Sequence, residues 1–304
     1  MASLKLRFKL TSRCNNGCEY CYEKPYYYGK LSDMSFDMLQ DILARIKIAK
    51  LDKEFKRVKI AFTGGDPTLW QGDVGSVVSF ARKLFDNTFI TMDTTSRSNT
   101  GSIDRFVTNG GKIYVSLNNS ELQEIDPIIT SYRNNMLMLL VVLSDYNIDR
   151  ISEICQFVLH KGIRVRFNPV YSNDNEDYYS RFCVACETIK QNLSQYNYLF
   201  GCLTIDLFRY DYCGYGNNYM FFDETGLVYT CQLDRRNSFY YKEIDSRFWL
   251  QTIRSMARGG SSEKCIGISN RFLEKMHRTA YEIYLNLGGR GKKDEQKSEN
   301  EETI

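Results

Sequence analysis

An α/β fold, a parallel barrel of six β/α units that stops short of closure, is predicted by three features of this 304-residue chain. Strand-like and helix-like segments alternate through about residue 172. The polar and glycine-bearing runs fall at the C-terminal ends of the strand-like segments, where such barrels carry their chemistry. Past Tyr171 the stretch Ser172-Asn173-Asp174-Asn175-Glu176-Asp177 is polar and turn-forming, and the chain beyond it reads as a small C-terminal β-hairpin and helix extension.

Leu4 to Leu10 alternates apolar and basic residues and ends at Thr11, the pattern of a first strand. Met34 to Ile48 then places Met38, Leu39, Ile42, Leu43 and Ile46 at helical spacing. Arg57 to Thr63 is rich in branched and aromatic residues and makes the second strand, followed by a helix near Val74 to Phe85. Phe89-Ile90-Thr91-Met92-Asp93 and Lys112 to Leu117 are the third and fourth strands. Met136 to Leu143 is almost wholly apolar, as a buried parallel strand should be. Asp149 to His160 puts Ile151, Ile154, Cys155 and Val158 on one helical face, Gly162 ends it, and Ile163 to Val170 is the sixth strand. The sum is a partial (β/α)6 TIM-like barrel over 1–171, an extension over 172–288 and a charged tail over 289–304. Within the extension Tyr178 to Tyr196 and Arg271 to Leu287 have helical spacing, and Lys292 to Glu302 reads as solvated chain.

The loop after the first strand carries Cys14, Cys18 and Cys21 as Cys-x3-Cys-x2-Cys. Three thiolates on one short loop can hold three corners of a [4Fe–4S] cluster and leave the fourth iron without a protein ligand. A zinc site and three plain buried thiols are the competing readings. Zinc usually takes four N or S ligands, and neither His160 nor His277 lies near the loop. Buried thiols would not usually gather among Asn15, Asn16, Gly17 and Glu19. The second motif, Gly64-Gly65-Asp66-Pro67, directly follows the second strand. Alone it is a turn; its glycines also let a ligand approach the backbone, whose carbonyl and amide groups can hold an amino group and a carboxylate.

On these residues, with Tyr20 just before the third cysteine, the chain resembles the radical S-adenosylmethionine (SAM) superfamily. The resemblance implies a [4Fe–4S] cluster on Cys14, Cys18 and Cys21 whose free iron chelates the methionine end of SAM. It implies that Gly64, Gly65, Asp66 and Pro67 help hold the methionine amino group, with Asp66 where the family usually has Glu. It implies reductive cleavage of SAM to a 5'-deoxyadenosyl radical that abstracts a substrate hydrogen, fed by a flavodoxin- or ferredoxin-type electron donor. Polar residues at strand ends, Thr94-Thr95-Ser96, Ser116, Asn118 and Asn168, are candidates for SAM or substrate contacts, or for turn capping. Ser116 and Asn118 are favoured for the ribose by the resemblance.

In the extension, Tyr219 to Asp223 and Leu227 to Thr230 flank Glu224-Thr225-Gly226, a β-hairpin pattern. Its ends carry Cys213 and Cys231, which a hairpin makes neighbours and which favour a shared metal over a disulfide in a reducing compartment. This segment resembles the SPASM or shorter twitch extension of radical SAM enzymes, through Asp223-Glu224-Thr225-Gly226-Leu227-Val228-Tyr229-Thr230-Cys231. That implies an auxiliary [4Fe–4S] cluster on Cys213, Cys231 and Cys265, its fourth ligand being Cys183, Cys186, Cys202 or none. Cys183 and Cys186 also sit at helical spacing with Phe182 and Ile189, which reads as core.

A net charge of +3 gives no argument for a nucleic-acid or membrane-surface partner, and no apolar run approaches a membrane span. The ten cysteines without a signal segment point to reduced thiols in the cytoplasm. No residue is singled out as a catalytic acid, base or radical relay. For substrate, the SPASM and twitch resemblance favours a ribosomally made peptide, modified by a crosslink, thioether or epimerisation. The alternatives are oxidation of a small-molecule alcohol or aminosugar, and a non-catalytic iron-sulfur or zinc module.

Overall fold

The computed structural model describes residues 3–21, 23, 31–50, 53, 55–170, 175–193, 198–200, 219–229 and 238–243. Strand β1 (Ser3–Thr11) buries Leu4, Leu6, Phe8 and Leu10 on its outer face, so Lys5, Arg7, Lys9 and Thr11 face the barrel interior. Parallel to it and to one another run β2 (Arg57–Gly64), β3 (Thr88–Thr95), β4 (Lys112–Leu117), β5 (Met136–Val142) and β6 (Val165–Asn168). Their outward side chains form one core with the helices α1 (Phe36–Ile48), α2 (Val74–Leu84), α3 (Thr100–Thr108), α4 (Leu122–Ser131) and α5 (Ile151–Lys161). Parallel neighbours need such crossover helices, which is why the sequence alternates.

The helices start where polar side chains take up free backbone N–H groups. Ser35 accepts from Met38, Asp73 from Gly75 and Ser76, and Asn99 from Ser102. Helix α5 ends at Gly162 with φ +59°, a conformation glycine adopts without steric cost. Helices α3 and α4 go beyond the sequence pattern. The nine residues of α3 include Gly101, and α4 contains Pro127, so neither shows a long uninterrupted helical stripe.

The alternation also continues past Tyr171. Helix α6 (Glu176–Leu193) packs on α5 and leads to β7 (Tyr198–Phe200), parallel to β6. The expected hairpin is present as β8 (Tyr219–Phe222) and β9 (Leu227–Tyr229), with β10 (Phe239–Tyr240) beside it. Its location is the new element: β8 adds in parallel to β1, with Phe222 opposite Phe8. The strand order is β10-β9-β8-β1-β2-β3-β4-β5-β6-β7, an open barrel whose edges are β10 and β7. The helix expected from Arg271 to Leu287 and the charged tail lie outside the described residues. No described helix is long and apolar enough to cross a membrane.

Phe8 and Phe222 lock the hairpin in place, their rings stacked at 4.8 Å and both fully buried. Replacing Phe222 with Ala should therefore cost about 3–5 kcal/mol in urea unfolding. Ile48→Ala, on a side chain 68 % exposed, should change stability by no more than about 0.5 kcal/mol. Equal effects of the two would refute this placement of the hairpin.

Candidate active site

The loop that leaves β1 is closed at both ends. Ser12 N–H donates to the Ser32 carbonyl at 2.9 Å, Ser32 N–H donates to Ser12 Oγ at 2.7 Å, and Met34 N–H donates to the Leu10 carbonyl at 2.8 Å. Thr11 Oγ1 donates to Asp33, which also pairs with Arg13 at 3.2 Å. On this closed loop Cys14 is exposed and Cys18 and Cys21 are half-buried. Burial pushes the Cys18 thiol up, a hydrogen bond with Tyr20 opposes this, and the charges of Cys21 and Cys14 push it further up. The three thiols share this one loop, and a bound cation would relieve the repulsion between their thiolates. Among the described residues no three His, Cys, Asp or Glu side chains already stand at metal-binding spacing. The fit to a cluster lies in the donor set and its access to solvent.

The glycine motif lies directly against this loop. Gly65 N–H donates to the Thr11 carbonyl at 2.8 Å and Asp66 N–H to the Arg13 carbonyl at 2.7 Å. A Cβ on Gly64 would overlap the Thr11 backbone, and one on Gly65 would meet the Arg13 carbonyl and the Cys14 side chain. Only glycine permits that approach. Asp66 is fully buried: Oδ1 accepts from Thr68 N–H at 2.9 Å and Thr68 Oγ1 at 2.6 Å, and Oδ2 accepts from Ser98 Oγ at 2.9 Å. Pro67, also buried, opens the short 3-10 turn Pro67–Leu69. The carboxylate thus ties the loop after β2 to the loop after β3.

The other strand ends gather around the same loop. Asn16 Nδ2 donates to Thr95 Oγ1 at 3.1 Å, and Arg97 donates to the Asn15 carbonyl at 3.1 Å. Ser116 stands beside Thr95 in register and is half-buried on the inner face. Tyr20 reaches across to donate to Asn118 Oδ1 at 3.4 Å. Thr94 instead turns its hydroxyl to the Tyr114 carbonyl, and Ser96 bonds Ser120, so both serve the frame. Asn168 closes β6 opposite Val142, half-buried, its carbonyl accepting from Leu143 N–H at 2.8 Å.

The profile of the radical SAM superfamily matches residues 8–177, more than half of the chain. The chain belongs to the radical SAM superfamily. As a radical SAM protein it is an enzyme that uses SAM together with a [4Fe–4S] cluster. Among solved structures it is similar to native anSMEcpe with bound AdoMet, at a TM-score of 0.69 and 12 % identity over 93 % of this chain and 97 % of that one. It is similar to anSMEcpe with bound AdoMet and the Cp18Cys peptide, at 0.63 and 12 % over 94 % and 97 %. SuiB of Streptococcus suis bound to the precursor peptide SuiA matches at 0.57 and 14 %, over 82 % of this chain and 65 % of that one. At such identities the likeness is one of fold. No curated protein sequence matches the chain.

For this radical SAM enzyme the sequence motifs at the ends of β1, β2, β3 and β4 converge, while Cys202, Cys213, Cys231 and Cys265 lie outside the described residues. Cys186 is buried in the α6 core with its thiol pushed well up by burial, and Cys155 is pushed up to about 12 by the same cause. Both stand in the hydrophobic core. Sequence reasoning misses Asn147, which is fully buried and donates to the carbonyls of Asn118 at 2.8 Å and Val142 at 3.0 Å, bracing the ends of β4 and β5. Nothing local marks it. It also misses Lys9, whose inward position in the alternating first strand was the available signal.

Gly65→Ala should displace Cys14 and lower iron per chain after anaerobic reconstitution while leaving the circular dichroism of the fold intact; native iron content would refute the close approach. Burial raises the Asp66 carboxyl above its usual range, only partly opposed by Thr68 and Ser98. An acid so raised contributes stability that is fully present below its unfolded pKa of about 4 and is lost as pH rises through the raised value. The Tm of the native chain minus that of Asp66→Asn should therefore fall as pH rises from about 4. A difference that does not change with pH would contradict the burial of this charge.

Proposed function

We propose that the chain reductively cleaves SAM at a cluster held by Cys14, Cys18 and Cys21 and uses the 5'-deoxyadenosyl radical to take a hydrogen atom from a ribosomally made peptide. One observation carries this reading: the two backbone bonds that lay Gly64-Gly65 against the start of the cysteine loop. A ligand that touches the loop's cluster therefore also touches the glycine strand end. When bound, the cluster supplies the electron for SAM cleavage through the iron that has no protein ligand.

The chain's own residues then position the cofactor. The backbone at Gly64 and Gly65 receives the methionine end, and Asp66 and Pro67 hold that backbone rigid from behind. Tyr20, Ser116, Asn118 and Asn168 take the ribose and adenine side, where the ends of β4 and β6 present half-buried polar groups. The peptide part of the reading is supported by a fold shared with two proteins solved with peptides bound. In the same reading residues 172–288 carry a second [4Fe–4S] cluster on Cys213, Cys231 and Cys265, beside a core of 1–171 and a tail of 289–304. A flavodoxin- or ferredoxin-type protein reduces the first cluster in the cytoplasm.

Reconstituted protein given dithionite and SAM should yield 5'-deoxyadenosine, and a Cys14→Ala, Cys18→Ala, Cys21→Ala variant should not. About eight irons per chain should fall to about four in that variant if both clusters exist. Deuterium carried from a labelled peptide into 5'-deoxyadenosine would establish the substrate class. Transfer from an alcohol or aminosugar alone would replace the peptide reading with small-molecule oxidation.

A further inference from the structure

The C-terminal hairpin meets the cysteine loop at one buried cation. Lys9 faces inward from β1 with its side chain 1 % exposed, and its Nζ lies 2.9 Å from Glu23 Oε2 and 3.0 Å from Glu224 Oε1. Glu23 belongs to the cysteine loop, two residues past Cys21, and its side chain is 3 % exposed. Glu224 lies in the turn between β8 and β9 and its side chain is 9 % exposed. It also accepts from Ser32 Oγ at 3.1 Å, at the exit of the loop. Glu224 therefore reaches the loop directly at its exit, and through Lys9 at its entry and in its interior.

The turn that presents Glu224 is rigid. Asp223 Oδ1 accepts from Thr225 N–H at 2.9 Å, Thr225 Oγ1 at 2.7 Å and Leu227 N–H at 3.0 Å, and Oδ2 accepts from Tyr229 OH at 3.0 Å. Gly226 has φ +89° and packs against Tyr241, Tyr240 and Met38, so the turn cannot drift from α1. Glu224 thus brings a carboxylate into a nearly dry site beside Lys9 and Glu23. Apolar residues would hold the fold at least as well as such a charged group, which points to a use beyond stability.

We propose that Glu224 is a positioning residue for the cluster loop: through Lys9, Glu23 and Ser32 the hairpin sets where Cys21 stands and adds a negative charge that lowers the reduction potential of the cluster. The proposal rests on the reading that Cys14, Cys18 and Cys21 hold that cluster. Net charge and hydrogen bonding around a cluster are the protein's means of setting its potential.

The test is a redox titration of the reconstituted full chain, following the paramagnetic signal that the triple cysteine variant lacks. Glu224→Gln keeps the shape and the Ser32 bond but removes the charge, and should shift the midpoint to a more positive potential and alter the line shape of the reduced cluster. Glu224→Asp should recover part of the native potential. Phe222→Leu, which loosens the hairpin without touching the charge, should lower Tm and leave the midpoint in place. A native midpoint and spectrum in Glu224→Gln overturn the proposal. If Glu224→Gln takes up no iron, faster alkylation of Cys21 in its iron-free full chain supports the positioning role, and the native alkylation rate overturns it. If the native chain itself holds no cluster that the cysteine variant removes, the reading of the loop falls and the proposal falls with it.

Discussion

Two backbone hydrogen bonds, from Gly65 to Thr11 and from Asp66 to Arg13, are the constraint on which the rest of the site depends. They carry the parallel pairing of β1 and β2 beyond the strand ends and into the loops. At that point a side chain on Gly65 would occupy the space of Arg13 and Cys14, so the bonds exist only because the residue is glycine. The start of the cysteine loop thereby becomes part of the sheet. A loop fixed in this way has little entropy left to lose when a ligand binds. The buried Asp66 carboxylate extends the same constraint to the next strand end through Thr68 and Ser98.

The loop's other end is held by a different kind of interaction. Ser12 and Ser32 close its neck with hydrogen bonds, while Lys9 draws Glu23 and the hairpin's Glu224 into one buried charged group. Charge inside a protein is costly unless it is paired with good geometry, and here the pairing joins three segments distant in sequence. The hairpin has a second effect. Without β8, strand β1 would be an edge with unpaired backbone groups; β8 covers that edge and stacks Phe222 on Phe8. The segment that completes the sheet is the same one that braces the cysteine loop.

Much of this architecture was legible in the chain because its signals are local. The alternation Leu4, Leu6, Phe8, Leu10 marks β1, the all-apolar Met136 to Leu143 marks β5, and Gly162 marks the end of α5. The cysteine spacing and the glycine pair are equally local, so the candidate site could be named before its geometry was known. Helices α3 and α4 were hidden by Gly101 and Pro127, whose unfavourable propensities the tertiary packing of Ile103, Phe106, Ile125 and Ile128 overrides. Strand β7 is only three residues long, too short for a period to register.

What the sequence by itself determined is therefore most of the strands and the longer helices, their order and the donor atoms at the strand ends, because side-chain period and ligand spacing act over a few residues. The tertiary structure decided which distant groups meet. It placed the hairpin on β1 and not on the far edge, turned Asp66 inward to Thr68 and Ser98, set Asn147 beneath Asn118, and gave Lys9 two carboxylates. Those choices depend on chain crossings and on the packing of Phe8 against Phe222. Long-range partnerships of this kind leave no periodic mark in the residues that form them.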